Sequence, residues 1–269
     1  MKAVTTNVFV NFGTRGANVG LIKTSEGLVM VESHMLPDDA YKFREEVAKI
    51  GKIKYLINTE PHMDHVAGDY YFEGIVVGHE GTRQTVLNSS INQVLGMLGA
   101  FSPDTKLEKG YCLRPPTLTF SQRLTLHMGD LSINLIHLPG HTASETAVYI
   151  PQEKVIFTGD NVVNGTMPFL HEADPYKWIE SLNQMDKMDI SYIVPGHGEV
   201  QEKSYLKVMS SQISVWIEAV KNAANKGWTL EEAQAGIDLT EQYPGDKKRM
   251  LTIQKNNIAH LYEFFKAQH

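Results

Sequence analysis

The chain is poor in cysteine, with Cys112 as the single example among 269 residues. One cysteine excludes an internal disulfide and is typical of a protein from a reducing compartment. Residues 1–11 also lack the charged start and long apolar run of a secretory leader. We therefore expect a cytoplasmic protein.

Positive charge and long hydrophobic runs are equally scarce. The 25 basic residues are outnumbered by 31 acidic residues, which gives a net charge of −6 and disfavours a general nucleic-acid surface. No run of about 18 apolar residues predicts a membrane span. With a hydrophobic content of 42%, the chain can bury a sizeable core. We expect a small molecule as its partner, and neither nucleic acid nor membrane.

Metal-binding side chains are dense directly after the apolar run Ile53–Ile57, which predicts a buried strand. Glu60, His62, Asp64 and His65 fall within six positions. Imidazole and carboxylate groups at this density suit a divalent cation, although a polar surface loop is the alternative for this stretch alone.

Three later side chains repeat one pattern, because each follows an apolar run and stands next to a glycine. They are His141 after Pro139-Gly140, Asp160 after Thr158-Gly159, and His197 after Pro195-Gly196. Glycine allows a sharp turn at a strand end, so that the next side chain points into a shared cleft. We expect all these side chains to meet at one site.

Together these motifs resemble those of the metallo-β-lactamase superfamily of hydrolases. That family has the motif His-x-His-x-Asp-His, followed by a histidine after Pro-Gly, an aspartate after Thr-Gly and a histidine in Pro-Gly-His-Gly. The resemblance covers roughly residues 5 to 200, and it has one departure, since Glu60 stands where the family normally has its first histidine. The third strand of family members commonly ends in Asp, and Glu32-Ser33-His34 occupies that region here.

The resemblance implies an α/β fold, a four-layer αββα sandwich with extra C-terminal helices. We predict a β-meander over residues 4–32 with a turn at 13–16, a helix over 82–98, and a second meander over 117–158. Residues 1–200 are assigned to the sandwich. Residues 201–269 are expected to form helices that pack on the same single domain or make a homodimer interface.

The ligand set is also implied by the resemblance. One metal would be held by Glu60, His62 and His141, and a second by Asp64, His65 and His197. Asp160 would bridge the two ions. Zn²⁺ is the default for such ligands, and the carboxylate of Glu60 should increase tolerance of Mn²⁺ or Fe²⁺. Alternatively Glu60 does not bind, and one metal is held tightly.

The expected chemistry is hydrolysis by a hydroxide that bridges the metals, because a shared water loses a proton near neutral pH. Asp64 and Asp160 are the catalytic candidates, and no Ser–His or Cys–His arrangement competes with them. We favour cleavage of an ester, lactone or thioester of a small, partly apolar molecule. The alternatives are a β-lactamase-like amide hydrolase, a mononuclear iron sulfur dioxygenase and a non-catalytic metal-binding protein.

Four further residues are candidates for contact with the substrate because they lie beside the motifs or in the loop that follows Asp160. They are His34, Met63, Asn161 and His171.

Overall fold

The computed structural model describes residues 1–12 and 15–267, and it contains two β-sheets. The first sheet has its strands in chain order, antiparallel from β1 to β4 and parallel from β4 to β7. Its strands are β1 (Lys2–Ala3), β2 (Val8–Asn11), β3 (Val19–Thr24), β4 (Gly27–Val31), β5 (Ile53–Ile57), β6 (Ile75–His79) and β7 (Leu118–Phe120).

The second sheet also follows chain order, and all its pairs are antiparallel except the parallel pair β11–β12. Its strands are β8 (Arg123–Met128), β9 (Leu131–His137), β10 (Thr146–Ile150), β11 (Val155–Phe157), β12 (Tyr192–Val194) and β13 (Gln201–Glu202).

Helices connect the strands and extend the chain beyond them. They are α1 (Pro37–Ala48), α2 (Met63–Val66), α3 (Glu80–Asn88), α4 (Ile91–Phe101), α5 (Pro175–Asp186), α6 (Tyr205–Asn225), α7 (Leu230–Gly236) and α8 (Lys247–Lys266). None of the helices in residues 1–12 and 15–267 is both long and apolar enough to cross a membrane.

The layered arrangement of sheets and helices is seen in the side of each sheet on which the apolar side chains are buried. Ile22 and Phe157 belong to the core between the two sheets, whereas Leu21 points the other way and packs with Phe43 of α1. A side chain at Gly20 would overlap the Phe157 ring, so this glycine lets the sheets approach closely. Trp178 of α5 belongs to the cluster that covers the second sheet. The predicted αββα sandwich is therefore confirmed.

The C-terminal helices share that cluster. Trp216 of α6 and Leu261 of α8 are buried in this cluster. Trp178 of α5 and Ile193 of β12 are buried in it as well. The C-terminal helices, α5 and the second sheet therefore share one continuous apolar cluster. The division at residue 200 and the homodimer interface both stay predictions.

Two local predictions differ from the structure. The continuous helix over 82–98 is wrong, because α3 ends at Asn88 and α4 begins anew at Ile91. Ser90 accepts a hydrogen bond from the backbone of Gln93 and forms a capping box, which the apolar periodicity concealed. The first strand of the predicted meander, expected from Val4 to Phe12, is also shorter in the structure, where β2 covers Val8–Asn11. Positions 13 and 14 of the predicted turn lie outside the described residues.

Candidate metal centre

Strand ends bring the predicted ligands to one edge of the sandwich. The parallel strands β11 and β12 end at Phe157 and Val194, and the chain reaches Asp160 and His197 within three residues of those ends. Asn18, directly before β3, ties the turn before His197 in place by donating to the carbonyl of Pro195 at 2.9 Å.

The first group of side chains surrounds Glu60, which is completely buried. One of its oxygens, Oε2, lies 2.5 Å from His62 Nδ1 and 3.6 Å from His141 Nε2. The two histidine nitrogens are 3.2 Å apart. These three residues offer ligand atoms that all lie within 4.8 Å of one another.

The second group contains Asp64, His65 and His197. His197 Nε2 lies 3.2 Å from Asp64 Oδ2, and His65 Nε2 lies 3.9 Å from the same oxygen. Their ligand atoms also fall within 4.8 Å of one another. The structure therefore brings together the second predicted trio.

Asp160 lies between the groups and faces both. Its Oδ1 is 3.6 Å from His65 Nε2, and its Oδ2 is 3.4 Å from His197 Nε2 and 3.9 Å from His141 Nε2. This is the position that a bridging carboxylate would occupy. All seven predicted ligands thus meet around one point.

Unsatisfied polar atoms test whether a metal fits this arrangement. His65 Nε2 and Asp160 Oδ1 are buried, and neither makes a hydrogen bond to any residue that the structure describes. A buried polar atom without a partner is costly, and native proteins rarely leave one. A divalent cation would satisfy both atoms, so the donor set fits a metal.

Two of the central histidines, His62 and His141, have an outer contact that fixes the ring. His141 Nδ1 lies 2.7 Å from the carbonyl oxygen of Phe169, and His62 Nε2 lies 2.7 Å from Glu172 Oε1. Acceptors of this kind orient metal-binding imidazoles and raise their basicity. The nitrogens left facing the centre are His141 Nε2 and His62 Nδ1.

Glu32 lies beside His65 at a longer distance, with its Oε2 3.4 Å from His65 Nδ1. Its other oxygen accepts from the backbone nitrogen of Thr59 at 2.9 Å. Glu32 has a φ of 62°, which directs the chain away from the end of β4. Its position in place of the family's usual aspartate was the signal that sequence analysis noted without assigning a role.

Charge is concentrated in the centre. Burial opposes the ionisation of Asp64, but His65 and His197 outweigh it and hold the pKa of Asp64 well below its usual range. Burial likewise opposes protonation of His197, yet Asp160 and Asp64 raise the pKa of His197 to about 10. The carboxylates and imidazoles of the centre therefore stabilise one another's charged forms.

Glu145 lies behind the centre and was missed by sequence analysis. Its Oε1 accepts from the backbone nitrogen of Asp160 at 3.1 Å, and its Oε2 accepts from the hydroxyl of Thr142 at 3.0 Å. Burial raises the pKa of Glu145, and the neighbouring charge of Glu60 raises it further. Glu145 thus holds the turn that presents Asp160. Its place inside strand-like sequence gave no signal.

A cavity of about 580 Å³ opens over the centre. This volume is within the range of small-molecule sites. Its lining comprises Arg15, Gly16, His62, Asp64, Met97, Phe101, His141, Asp160, Asn164, Gly165, Thr166, Phe169, His171, His197, Pro244, Gly245, Arg249 and Met250.

One of the four substrate-contact candidates lines this cavity. His171 is exposed there, with its ring stacked on that of His62 at a centroid distance of 5.7 Å. His171 and Glu172 also form a third, more exposed group of ligand atoms with His62.

The other three candidates have different surroundings. His34 lines a separate pocket and contacts Asn11 at 3.1 Å. Met63 packs against the apolar cluster under α4. Asn161 is buried and accepts from the backbone nitrogen of His141 at 3.0 Å, so it shapes the histidine turn. None of these three residues lines the cavity, and their contact with a substrate stays a prediction.

Comparison with known proteins gives a family match over residues 12–197, to the profile described as the metallo-beta-lactamase superfamily. The linear primary-alkylsulfatase of Pseudomonas sp. (strain ATCC 19151) is 24% identical over 266 residues, with 84% of this chain and 50% of that protein covered. Acyl-coenzyme A thioesterase MBLAC2 of Homo sapiens is 24% identical over 213 residues, with coverage of 70% and 75%. The chain thus spans about half the length of the alkylsulfatase.

A solved structure extends the likeness to nearly the whole chain. A metallo-beta-lactamase family protein from Thermus thermophilus superposes with a TM-score of 0.71 at 15% identity. The superposition covers 98% of this chain and 95% of the other. At this identity the likeness shows the fold, and it includes the C-terminal helices.

Proposed function

Because the chain belongs to the metallo-beta-lactamase superfamily, we propose that it is a binuclear metallo-hydrolase that cleaves an ester, lactone or thioester of a small, partly apolar molecule. The observation that carries this proposal is the position of Asp160 between two trios of ligand-type side chains. A single metal would need only one of these trios.

When bound, two divalent cations would supply Lewis acidity and lower the pKa of a shared water to near neutrality. An ionised carboxylate acts only as a hydrogen-bond acceptor, so Asp64 and Asp160 can each hold the attacking water by accepting from it. His65 and His197 hold the pKa of Asp64 well below its usual range, and a positively charged metal beside this carboxylate would act in the same direction. Outer contacts such as Glu172 on His62 keep the imidazoles aimed at the centre.

Zn²⁺ is the metal that we propose, because four of the seven predicted ligands are imidazoles: His62, His65, His141 and His197. The three carboxylates, Glu60, Asp64 and Asp160, are harder ligands. With Glu60 in the first trio, the site should favour Mn²⁺ or Fe²⁺ more than it would with a histidine at that position. We keep a cytoplasmic location and a small-molecule partner as part of the proposal.

The cavity wall supports a partly apolar substrate. Met97 and Phe101 of α4 and Phe169 line it close to polar groups. Among the relatives, the one named as an acyl-coenzyme A thioesterase supports a thioester. The relative named as a linear primary-alkylsulfatase supports a second candidate, a sulfate ester of an alkyl chain.

A substrate panel tests the proposal. The purified protein is loaded with Zn²⁺ or Mn²⁺ and assayed on carboxylic esters, lactones, acyl thioesters, alkyl sulfates and β-lactams, with a chelator-treated sample as the control. We expect metal-dependent turnover of an ester, lactone or thioester. Turnover of alkyl sulfates alone would select the second candidate. Oxygen uptake with a persulfide, or no turnover at all, would contradict the proposal.

A further inference from the structure

The C-terminal segment completes the wall of the cavity. Pro244 and Gly245 precede α8, and Arg249 and Met250 lie in its first turn, and all four line the same space as the candidate ligands. They lie beyond residue 197, where the family match ends. This part of the wall therefore belongs to the extension of the chain, and selectivity can be built there without altering the metal centre.

Arg249 brings a positive charge to that wall. Its backbone nitrogen donates to the carboxylate of Asp246 at 2.9 Å, which caps the helix. Its guanidinium has no ion pair or hydrogen bond with any residue in 1–12 and 15–267. The other arginine of the cavity, Arg15, differs because it pairs with Asp39 at 3.2 Å. Of these two arginines, Arg249 is therefore the one whose guanidinium is available to a ligand.

The other residues of the cavity wall make the Arg249 guanidinium a specific indication of an anionic ligand. Met97, Phe101 and Met250 make the cavity partly apolar, and the acidic side chains in it are the candidate ligands Asp64 and Asp160. Arginine binds planar anions through paired, charge-assisted hydrogen bonds. The whole chain is net negative at −6, so Arg249 is not part of a general basic surface.

We propose that Arg249 binds an anionic group of the substrate. The hydrolysed molecule then carries a carboxylate, phosphate or sulfate that is separate from the bond that is broken. This inference rests on the proposed function, since the same cavity supplies the site of hydrolysis. It names the substrate class that the metal centre alone leaves open.

A matched pair of esters tests it. The para-nitrophenyl monoester of glutaric acid carries a free carboxylate, and para-nitrophenyl valerate is its neutral counterpart with the same leaving group. We expect the metal-loaded protein to prefer the anionic ester. Because Arg249 is exposed, its charge-assisted hydrogen bonds should be near the weak end of their range. Arg249→Ala should therefore reduce the ratio of the two kcat/KM values about tenfold, and Arg249→Lys should restore part of it.

Lys248→Ala is the control, because Lys248 is an exposed cation of the same helical turn that does not line the cavity. It should leave the ratio unchanged. Equal losses for both esters in Arg249→Ala, or an equal effect of Lys248→Ala, would overturn the inference. Thermal unfolding of each variant checks that the fold is retained, which we expect because the Arg249 side chain has no partner among residues 1–12 and 15–267.

Failure of the proposed function would give a different result, namely no metal-dependent cleavage of either ester. In that case calorimetric titration of the metal-loaded protein with glutarate and with valerate still tests Arg249. Both acids offer one carboxylate to the metals, and glutarate offers a second to the guanidinium. Glutarate should bind about tenfold more tightly, and Arg249→Ala should abolish that advantage. An advantage that persists in the variant would overturn the inference.

Discussion

Replacing Glu60 with glutamine tests whether this unusual residue is a metal ligand. The change keeps the shape of the side chain and removes its charge. Glu60 is completely buried, and its two oxygens face His62 at 2.5 Å and His65 at 3.3 Å. We expect Glu60→Gln to lose one of two metals and to keep the one held by the trio Asp64, His65 and His197.

The size of the loss distinguishes a direct ligand from an outer contact. Removing a group that only orients a ligand typically costs about 10- to 100-fold in metal affinity. Loss of a direct ligand should exceed about 100-fold, or about 2.8 kcal/mol at 1.4 kcal/mol per factor of ten. Glu172→Gln is the matched control, because Glu172 contacts the same His62 at 2.7 Å but is 48% exposed. It should stay within the smaller range.

The assay combines metal content after gel filtration with competition against a chromophoric chelator. Glu60→His, which restores the family's usual residue, should hold two metals and prefer Zn²⁺ over Mn²⁺ more strongly than the natural chain. Unchanged content and affinity in Glu60→Gln would refute the role of Glu60. So would an equal loss in Glu172→Gln.

Three further predictions concern the support of the site. Burial raises the pKa of Asp69 to about 8, so the folded state holds its proton more tightly than the unfolded state does, and stability falls as pH rises. In chelator-treated protein, the free energy of unfolding of the natural chain should fall by about 2 kcal/mol between about pH 6 and pH 8, and Asp69→Asn should remove this fall. The same pH dependence of the unfolding free energy in both proteins would contradict this. A methyl group at position 196 would overlap Asp160 Oδ1, so Gly196→Ala should lower metal content and destabilise the fold by about 1–3 kcal/mol; wild-type metal content would contradict it. Chelation should lower the melting temperature, and added Zn²⁺ should restore it, because a ligand that binds only the folded state stabilises it; an unchanged melting temperature would contradict it.

Much of the centre could be predicted because local signals marked it. His141, Asp160 and His197 each follow an apolar strand and a glycine, and parallel strand ends meet at one edge of a sheet. Their convergence follows from that topology.

The support of the centre depends on contacts that no local pattern encodes. Glu145 is separated from Asp160 by 15 positions and lies in strand-like sequence. Arg249 reaches the cavity only because α8 packs against the second sheet's helices, far along the chain. Asn161 seemed to face the cleft because it follows Asp160, yet its side chain turns back to the His141 loop. A neighbour in sequence is thus a poor guide to the direction of a side chain.

The prediction of one helix over residues 82–98 was wrong for a related reason. The apolar positions of residues 82–98 fit one helical period, and two serines at 89 and 90 do not disturb it. The competing hydrogen bonds of the Ser90–Gln93 capping box decide the boundary. The break separates α4, which presents Met97 and Phe101 to the cavity, from α3.

Anomalous diffraction from crystals of the Zn²⁺- or Mn²⁺-loaded protein tests the proposed centre most directly. We predict two peaks per chain, one contacting Glu60, His62 and His141 and one contacting Asp64, His65 and His197, with Asp160 touching both. A single peak beside His171 and Glu172, or no peak among these side chains, would contradict the proposal.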